Sequence, residues 1–332
     1  MLNTTSQLKK MNQTTENQKV NIKQKFFSFN TLAAFLAAVI IIYIFITRFD
    51  FTESIAIIGN SDFKYIIIGI IFFYGFIPLR GYRWRAFLKE SNIYLPTFEL
   101  TRLYFLSFFV NSILPARIGD IYRAYLLKKN RSVSFLQSLG VLFSERVFDL
   151  ASTALLVLLG GVFYLDMVAS PEIRNYIITG LVVISGVVLL FIIFSWRSKW
   201  LIRFLPEKFR DHYEAFTKGL LKSPSSIPNL LGQSMAVWLS EAARFYFVAW
   251  ALDCRIDIMM AIFISQTALV LMSLPITPAG LGIVELFMFA ALTPAGFTKE
   301  QTAAIIIADR LISYWSVIIL GGLHYIFSAR YR

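Results

Sequence analysis

The chain has 332 residues, of which 57% are hydrophobic and 16% charged, and its mean hydropathy is +0.64. A chain of this composition has lipid as its main solvent, which excludes an ordinary soluble domain and predicts an all-α polytopic membrane protein. The formal charge of +12 does not indicate nucleic acid, because the basic residues fall between apolar segments, where topology and anionic headgroups account for them. A single Cys254 beside only His212 and His324 leaves no disulfide and no zinc or haem ligand set, so neither a metal nor a cofactor is expected.

Residues 1–28, polar and rich in Asn, Gln, Thr and Lys, lack the apolar core of a cleavable signal and are expected to form a disordered cytoplasmic tail. Residues 29–330 then read as a single membrane domain. Eight apolar segments follow one another at 31–48, 64–80, 97–114, 133–165, 175–196, 227–251, 257–276 and 303–328, most near the ~20 residues that cross a bilayer core. Lys and Arg between Lys9 and Lys25, at Arg80, Arg83, Arg85 and Lys89, at Lys128, Lys129 and Arg131, and from Arg197 to Lys222 should face the cytoplasm. Both termini then lie on that side of a multi-pass protein of the cell membrane. The stretch 197–222 mixes Trp200, Phe204, Phe209 and Phe216 with Lys and Arg and reads as a basic interfacial connector.

Two short apolar pieces, 118–127 and 281–293, are too short to cross the membrane as helices and each follows a Pro/Gly break. They read as half-helices, which gives six full spans and two re-entrant pairs. The breaks share a pattern 163 residues apart: Pro115-Ala116-Arg117-Ile118-Gly119 and Pro278-Ala279-Gly280-Leu281-Gly282. An acid-Arg pair follows each at nearly equal distance, Glu145-Arg146 and Asp309-Arg310. Repeat units at 64–168 and 227–328, entered from opposite faces, would form an inverted repeat, the usual basis of alternating access.

Charges inside the membrane cost about 3 kcal/mol each on translocon-derived values, so each needs a reason to be there. Arg117, at the first turn of a half-helix, suits a phosphate or carboxylate, and Arg123 would extend that basic surface. The alternative is that Arg117 pairs with a buried acid, Arg123 snorkels, and Asp120 forms a local pair with Arg123. Glu145, Arg146 and Asp149 form a charge cluster on one helix, read with Asp309 and Arg310 as a structural or coupling network. Gly280 and Gly282 allow close backbone approach. Glu285 has three open roles: recognising an amine, coupling protons, or pairing with an arginine of the opposite unit. Glu241 and Arg244 read as a buried pair, with Trp238 beside them as packing. No nucleophile elbow or Walker loop occurs, and Gly280-Leu281-Gly282 lacks the strand and Lys of a nucleotide loop.

Asn111 to Asp120, then Arg123, Glu145-Arg146 and Asp149, and later Pro275 to Gly282 with Glu285, resemble the lysylphosphatidylglycerol synthase transmembrane region, or flippase-like, family over residues 30–328. Two departures are Asp120, where the family usually has Glu, and Ala279-Gly280, where it often has Gly-Gly. The resemblance implies a membrane domain moving phospholipid, or another phosphate-headgroup lipid, between leaflets. Substrate-binding candidates are then Asn111, Arg117, Gly119, Arg123, Gly280, Gly282 and Glu285. A membrane phospholipid or polyprenyl-linked lipid is the expected partner, with a separate lipid-modifying enzyme as a candidate second one. Full-length synthases of this kind add a soluble aminoacyl-transferase domain, whereas this chain stops at Arg332, so it is expected not to be an enzyme. Rival readings are a secondary transporter of a small anion, an intramembrane transferase acting on a polyprenyl- or phospholipid, and a non-catalytic scaffold.

Overall fold

The computed structural model describes residues 51–114, 117–168, 206–221, 223–273 and 277–327, with single positions at 179, 182 and 186. The expected tail, the segments 31–48 and 175–196, the first part of the connector, and Pro115, Ala116, Pro275 and Ile276 lie outside the described residues. All regular elements among the described residues are helical. They are α1 Phe51–Gly59, α2 Phe63–Gly75, α3 Ile77–Glu90, α4 Thr97–Ile113, α5 Ile118–Arg131, α6 Phe135–Val168, α7 Glu207–Lys218, α8 Ile227–Ala251, α9 Ile258–Ser273, α10 Ile283–Leu292, α11 Lys299–Arg310 and α12 Ser316–Phe327.

Local chemistry sets these boundaries. The Asp62 carboxylate accepts the Lys64 N–H at 2.9 Å and caps α2. Pro78 at the start of α3 fits an N-terminal turn, so α2 and α3 run on as one apolar span, Phe63–Glu90, with a joint at Phe76. A reciprocal cap starts α11: Gln301 N–H donates to the Thr298 hydroxyl at 3.1 Å, and Thr298 N–H to the Gln301 side chain at 3.0 Å. Between α11 and α12 the helix loosens into a π turn, Leu311–Trp315, directly after Asp309-Arg310.

Three stretches are long and apolar enough to cross a membrane: Phe63–Glu90, Phe135–Tyr164 and Lys299–Phe327. Helix α8 has 25 residues, about 38 Å at 1.5 Å per residue, but carries Glu241 and Arg244 in its interior. Helices α9 and α10 are shorter apolar pieces. The long α6 is the spine, packing against α9, α8, α5 and α7. Its Gly160 lets α9 approach so closely that a Cβ there would lie 2.7 Å from the Met259 carbonyl and the Phe263 nitrogen, the small-residue contact typical of helices in lipid. The described part of the connector, α7, lies along α6, where Gly140 faces the Phe216 carbonyl.

In the turn after α8, Cys254 is buried, and burial pushes its thiol up to about 11. The neutral thiol is a poor nucleophile. Folded protein at pH 7.5 is therefore expected to resist maleimide for hours and to label fully within minutes once denatured in SDS; rapid native labelling, read by mass shift, would mean that this turn opens.

Candidate functional site

Helix α4 leads into the first break and α5 leaves it, the two packed side by side. The turn is made by Arg117 in the left-handed region (φ 51°), a conformation costing a non-glycine residue about 1–2 kcal/mol. Gly119 permits the close return: its N–H donates to Asn111 Oδ1 at 2.8 Å, and an added Cβ would lie 2.2 Å from the Ser107 carbonyl. Asn111 Nδ2 and the Ser107 hydroxyl in turn donate to Asp120 Oδ1. The second break has the same local logic. Gly280, the position matching Arg117, is also left-handed (φ 69°), and the Gly282 N–H is again taken by a side chain, Glu285, at 2.6 Å.

Behind the first break, six charges close into a ring. Arg83 reaches Glu145 (3.0 Å) and Asp149 (2.6 Å), Arg123 reaches Glu145 (2.9 Å) and Asp120 (3.7 Å), and Arg146 joins Asp120 (3.3 Å) to Asp149 (3.1 Å). Trp238 Nε1 donates to Asp149 at 3.1 Å. Behind the second break, six more form a chain of four and a separate pair: Arg80 with Glu241, Glu241 with Arg244 (3.2 Å) and Arg244 with Asp309, and beside them Arg310 with Glu285 (2.6 Å). Each set has three cations and three anions. Neutral, paired sets are how ionised groups persist in a low-dielectric interior.

Arg117 belongs to neither set. Among the described residues its guanidinium has no carboxylate within ion-pair distance, and its Nη2 donates at 2.6 Å to the Ser273 hydroxyl at the end of α9, on the far side of the second break. The two breaks therefore meet. They open onto a cavity of about 800 Å³, its mouth included. Four arginines (Arg80, Arg117, Arg146, Arg310) and two carboxylates (Asp120, Glu241) line it. Tyr104, Phe108, Trp238 and Tyr314 supply apolar wall with polar edges. The excess of guanidinium groups, in a pocket lined largely by apolar side chains, favours an anion.

The structure sorts the candidate residues. Arg117, Asn111, Asp120, Arg146 and Arg310 reach the cavity, whereas at the second break Ala279 lines it and Gly280 and Gly282 do not. Arg123 is fully buried between the rings of Trp84 (4.3 Å) and Tyr104 (4.5 Å), so it holds the ring of charges and does not face a ligand. Glu285 is spent on Arg310 and Gly282, and its arginine belongs to its own unit, not the opposite one. Glu145, Asp149 and Asp309 are ion-paired inside the two sets. Glu241 and Arg244 are paired as expected, whereas Trp238 bonds Asp149 and stacks under Arg80 beyond mere packing. Arg80 and Arg83, placed by the loop-charge rule in a cytoplasmic connection, lie buried inside α3, because carboxylates from α6 and α8 satisfy them there. Their i, i+3 spacing, which sets both on one helix face, was the available signal.

Helices of membrane-crossing length around an arginine-rich cavity define a multi-pass membrane protein. The chain belongs to the lysylphosphatidylglycerol synthase TM region family, whose model matches residues 31–321. It is similar to a UPF0104 membrane protein of Methanocaldococcus jannaschii, 31% identical over 65% of this chain and 92% of that one. A UPF0104 membrane protein of Pyrococcus horikoshii is 22% identical over 82% of this chain and 89% of its own length. Glycosyltransferase AglD of Haloferax volcanii is 26% identical over 88% of this chain and 53% of that protein. This last relative overturns the expectation that the chain is not an enzyme, since a protein named as a transferase resembles it along most of its length.

Proposed function

We propose that the protein is a lipid translocase whose cavity holds the phosphate of a membrane-lipid headgroup while the acyl or prenyl chains stay in the bilayer. The observation that carries this reading is Arg117: a guanidinium with no carboxylate partner among the described residues, at a helix start, on the wall of a cavity shared by two chain breaks. The full architecture we read is six spans and two re-entrant pairs, the units 64–168 and 227–328 inverted about the cavity, in the cell membrane with both termini cytoplasmic. Left-handed backbone at Arg117 and Gly280, and glycine N–H groups capped by side chains at both breaks, support the duplication. Two nearly equivalent packings of one unit are what alternating access requires.

A second reading, a transferase acting on a lipid-linked phosphate, is supported by the resemblance to a glycosyltransferase. It uses the same anion site.

Reconstitution into liposomes with headgroup-labelled anionic lipid tests the first reading. The protein is expected to move lipid faster than empty vesicles do. Arg117→Ala should cut that rate ten- to a hundredfold while leaving the melting temperature nearly unchanged, the range expected for one charge-assisted contact worth about 1.5–3 kcal/mol. Binding without movement, with the binding lost in Arg117→Ala, would favour the transferase. Movement indifferent to Arg117→Ala would overturn the site.

A further inference from the structure

We infer that the cavity takes a headgroup carrying two adjacent anionic groups, a diphosphate in chemical terms, with one group held at each break. This deepens the lipid-phosphate reading above and rests on it. The first subsite is Arg117 with the partly exposed Arg146. The second lies on the same cavity, at the second break, where recognising an amine was one of the three roles left open for Glu285.

That amine role has no group to perform it. The carboxylate named for it, Glu285, is occupied by Arg310 and by the Gly282 N–H, and the two carboxylates that do line the cavity, Asp120 and Glu241, are held in ion pairs. Residues on the cavity wall carry unused donors in their stead. Arg310 is 5% exposed and its Nη2 has no hydrogen-bond partner among the described residues, although its Nε side meets Glu285. Thr277, 3% exposed, has a hydroxyl equally without partner there. Both residues line the cavity. Buried donors left open are costly and call for an acceptor, and two of them, Thr277 at the break and Arg310 at the end of α11, match the oxygens of a single phosphoryl group. Arg117 on the same cavity wall matches a second.

A diphosphate on a lipid and free inorganic diphosphate share this chemistry, so the test separates them. Full-length protein in nanodiscs is titrated with dodecyl diphosphate, dodecyl phosphate and inorganic diphosphate, for wild type, Thr277→Val and Arg117→Ala. Thr277→Val removes a donor while keeping every ion pair, which makes it safer for folding than a change at Arg310. Dodecyl diphosphate is expected to bind at least tenfold tighter than dodecyl phosphate. Thr277→Val should lower the diphosphate affinity about tenfold and the monophosphate affinity less than threefold, whereas Arg117→Ala should weaken both. Equal affinity for the two alkyl probes, or equal loss of both in Thr277→Val, overturns the two-subsite inference and leaves the lipid-phosphate reading standing. Inorganic diphosphate binding as tightly as its dodecyl ester overturns the lipid reading and keeps the two subsites. No binding of any probe by folded protein overturns both.

Discussion

Arg83→Ala is expected to destabilise the protein by about 3–5 kcal/mol, a large share of the roughly 5–15 kcal/mol by which a native domain is stable. The residue is wholly buried, and its two nitrogens serve Glu145 and Asp149 on α6 while Ser234 on α8 accepts from the same guanidinium at 3.0 Å. Three helices thus share one side chain. Deleting it leaves three carboxylates facing two arginines in a largely buried site, and an unbalanced buried charge costs far more than the intact pair contributes. Arg83→Lys keeps the charge but not the planar fork, so it should recover only part of the loss. SDS-titrated unfolding in mixed micelles measures this. A shift under 1 kcal/mol for Arg83→Ala would mean that the ring is not interlocked as described.

Gly119→Ala is expected to lose ligand binding more than tenfold and about 1–3 kcal/mol of stability, the usual range for overpacking. Its Cβ would sit 2.2 Å from the Ser107 carbonyl and 2.6 Å from Asn111 Oδ1, so α5 must retreat by about 1 Å for ordinary contact to be restored. That movement breaks the Asn111 cap and carries Arg117, two residues away, off the cavity wall. Gly232→Ala in α8 is the control, since nothing lies within 4 Å of its added Cβ. It should be neutral or slightly stabilising, as alanine in a helix is favoured by about 0.5–1 kcal/mol. Binding of an alkyl phosphate by both variants decides the matter; a Gly119→Ala protein that binds normally would show that the break does not position Arg117.

Hydropathy and helix punctuation carried much of this architecture. Helix α8 spans the residues of the predicted 227–251 segment, and α4 and α10 begin or end within two residues of the limits expected for 97–114 and 281–293. Breaks were visible because Pro and paired glycines are rare signals in apolar sequence. The family followed from the same residues. What stayed hidden was pairing. A rule that keeps arginine out of lipid assigned Arg80 and Arg83 to a loop, since it cannot see carboxylates 161 and 62 residues further on. Arg123 looked like a ligand group for the same reason, because its neutralisation by Glu145 depends on how α5 crosses α6. Glu285 was left open among three roles, and only the position of Arg310 and the Gly282 N–H distinguishes them. Local sequence reports where a charge lies along a helix, whereas its meaning is set by what another helix brings to it.

The Arg80–Glu241 pair has a consequence for how the protein is made. Its members are separated by 161 residues, and at about 5–20 residues per second the ribosome needs roughly 8 to 32 s to supply the second after the first. During that interval Arg80 has no counter-charge from α8 and cannot settle into lipid at low cost. The α2–α3 span must wait at the aqueous edge or inside the insertion machinery, and its final depth is reached only when α8 arrives. Assembly in the membrane is therefore timed by charge, with a later helix releasing one made long before it.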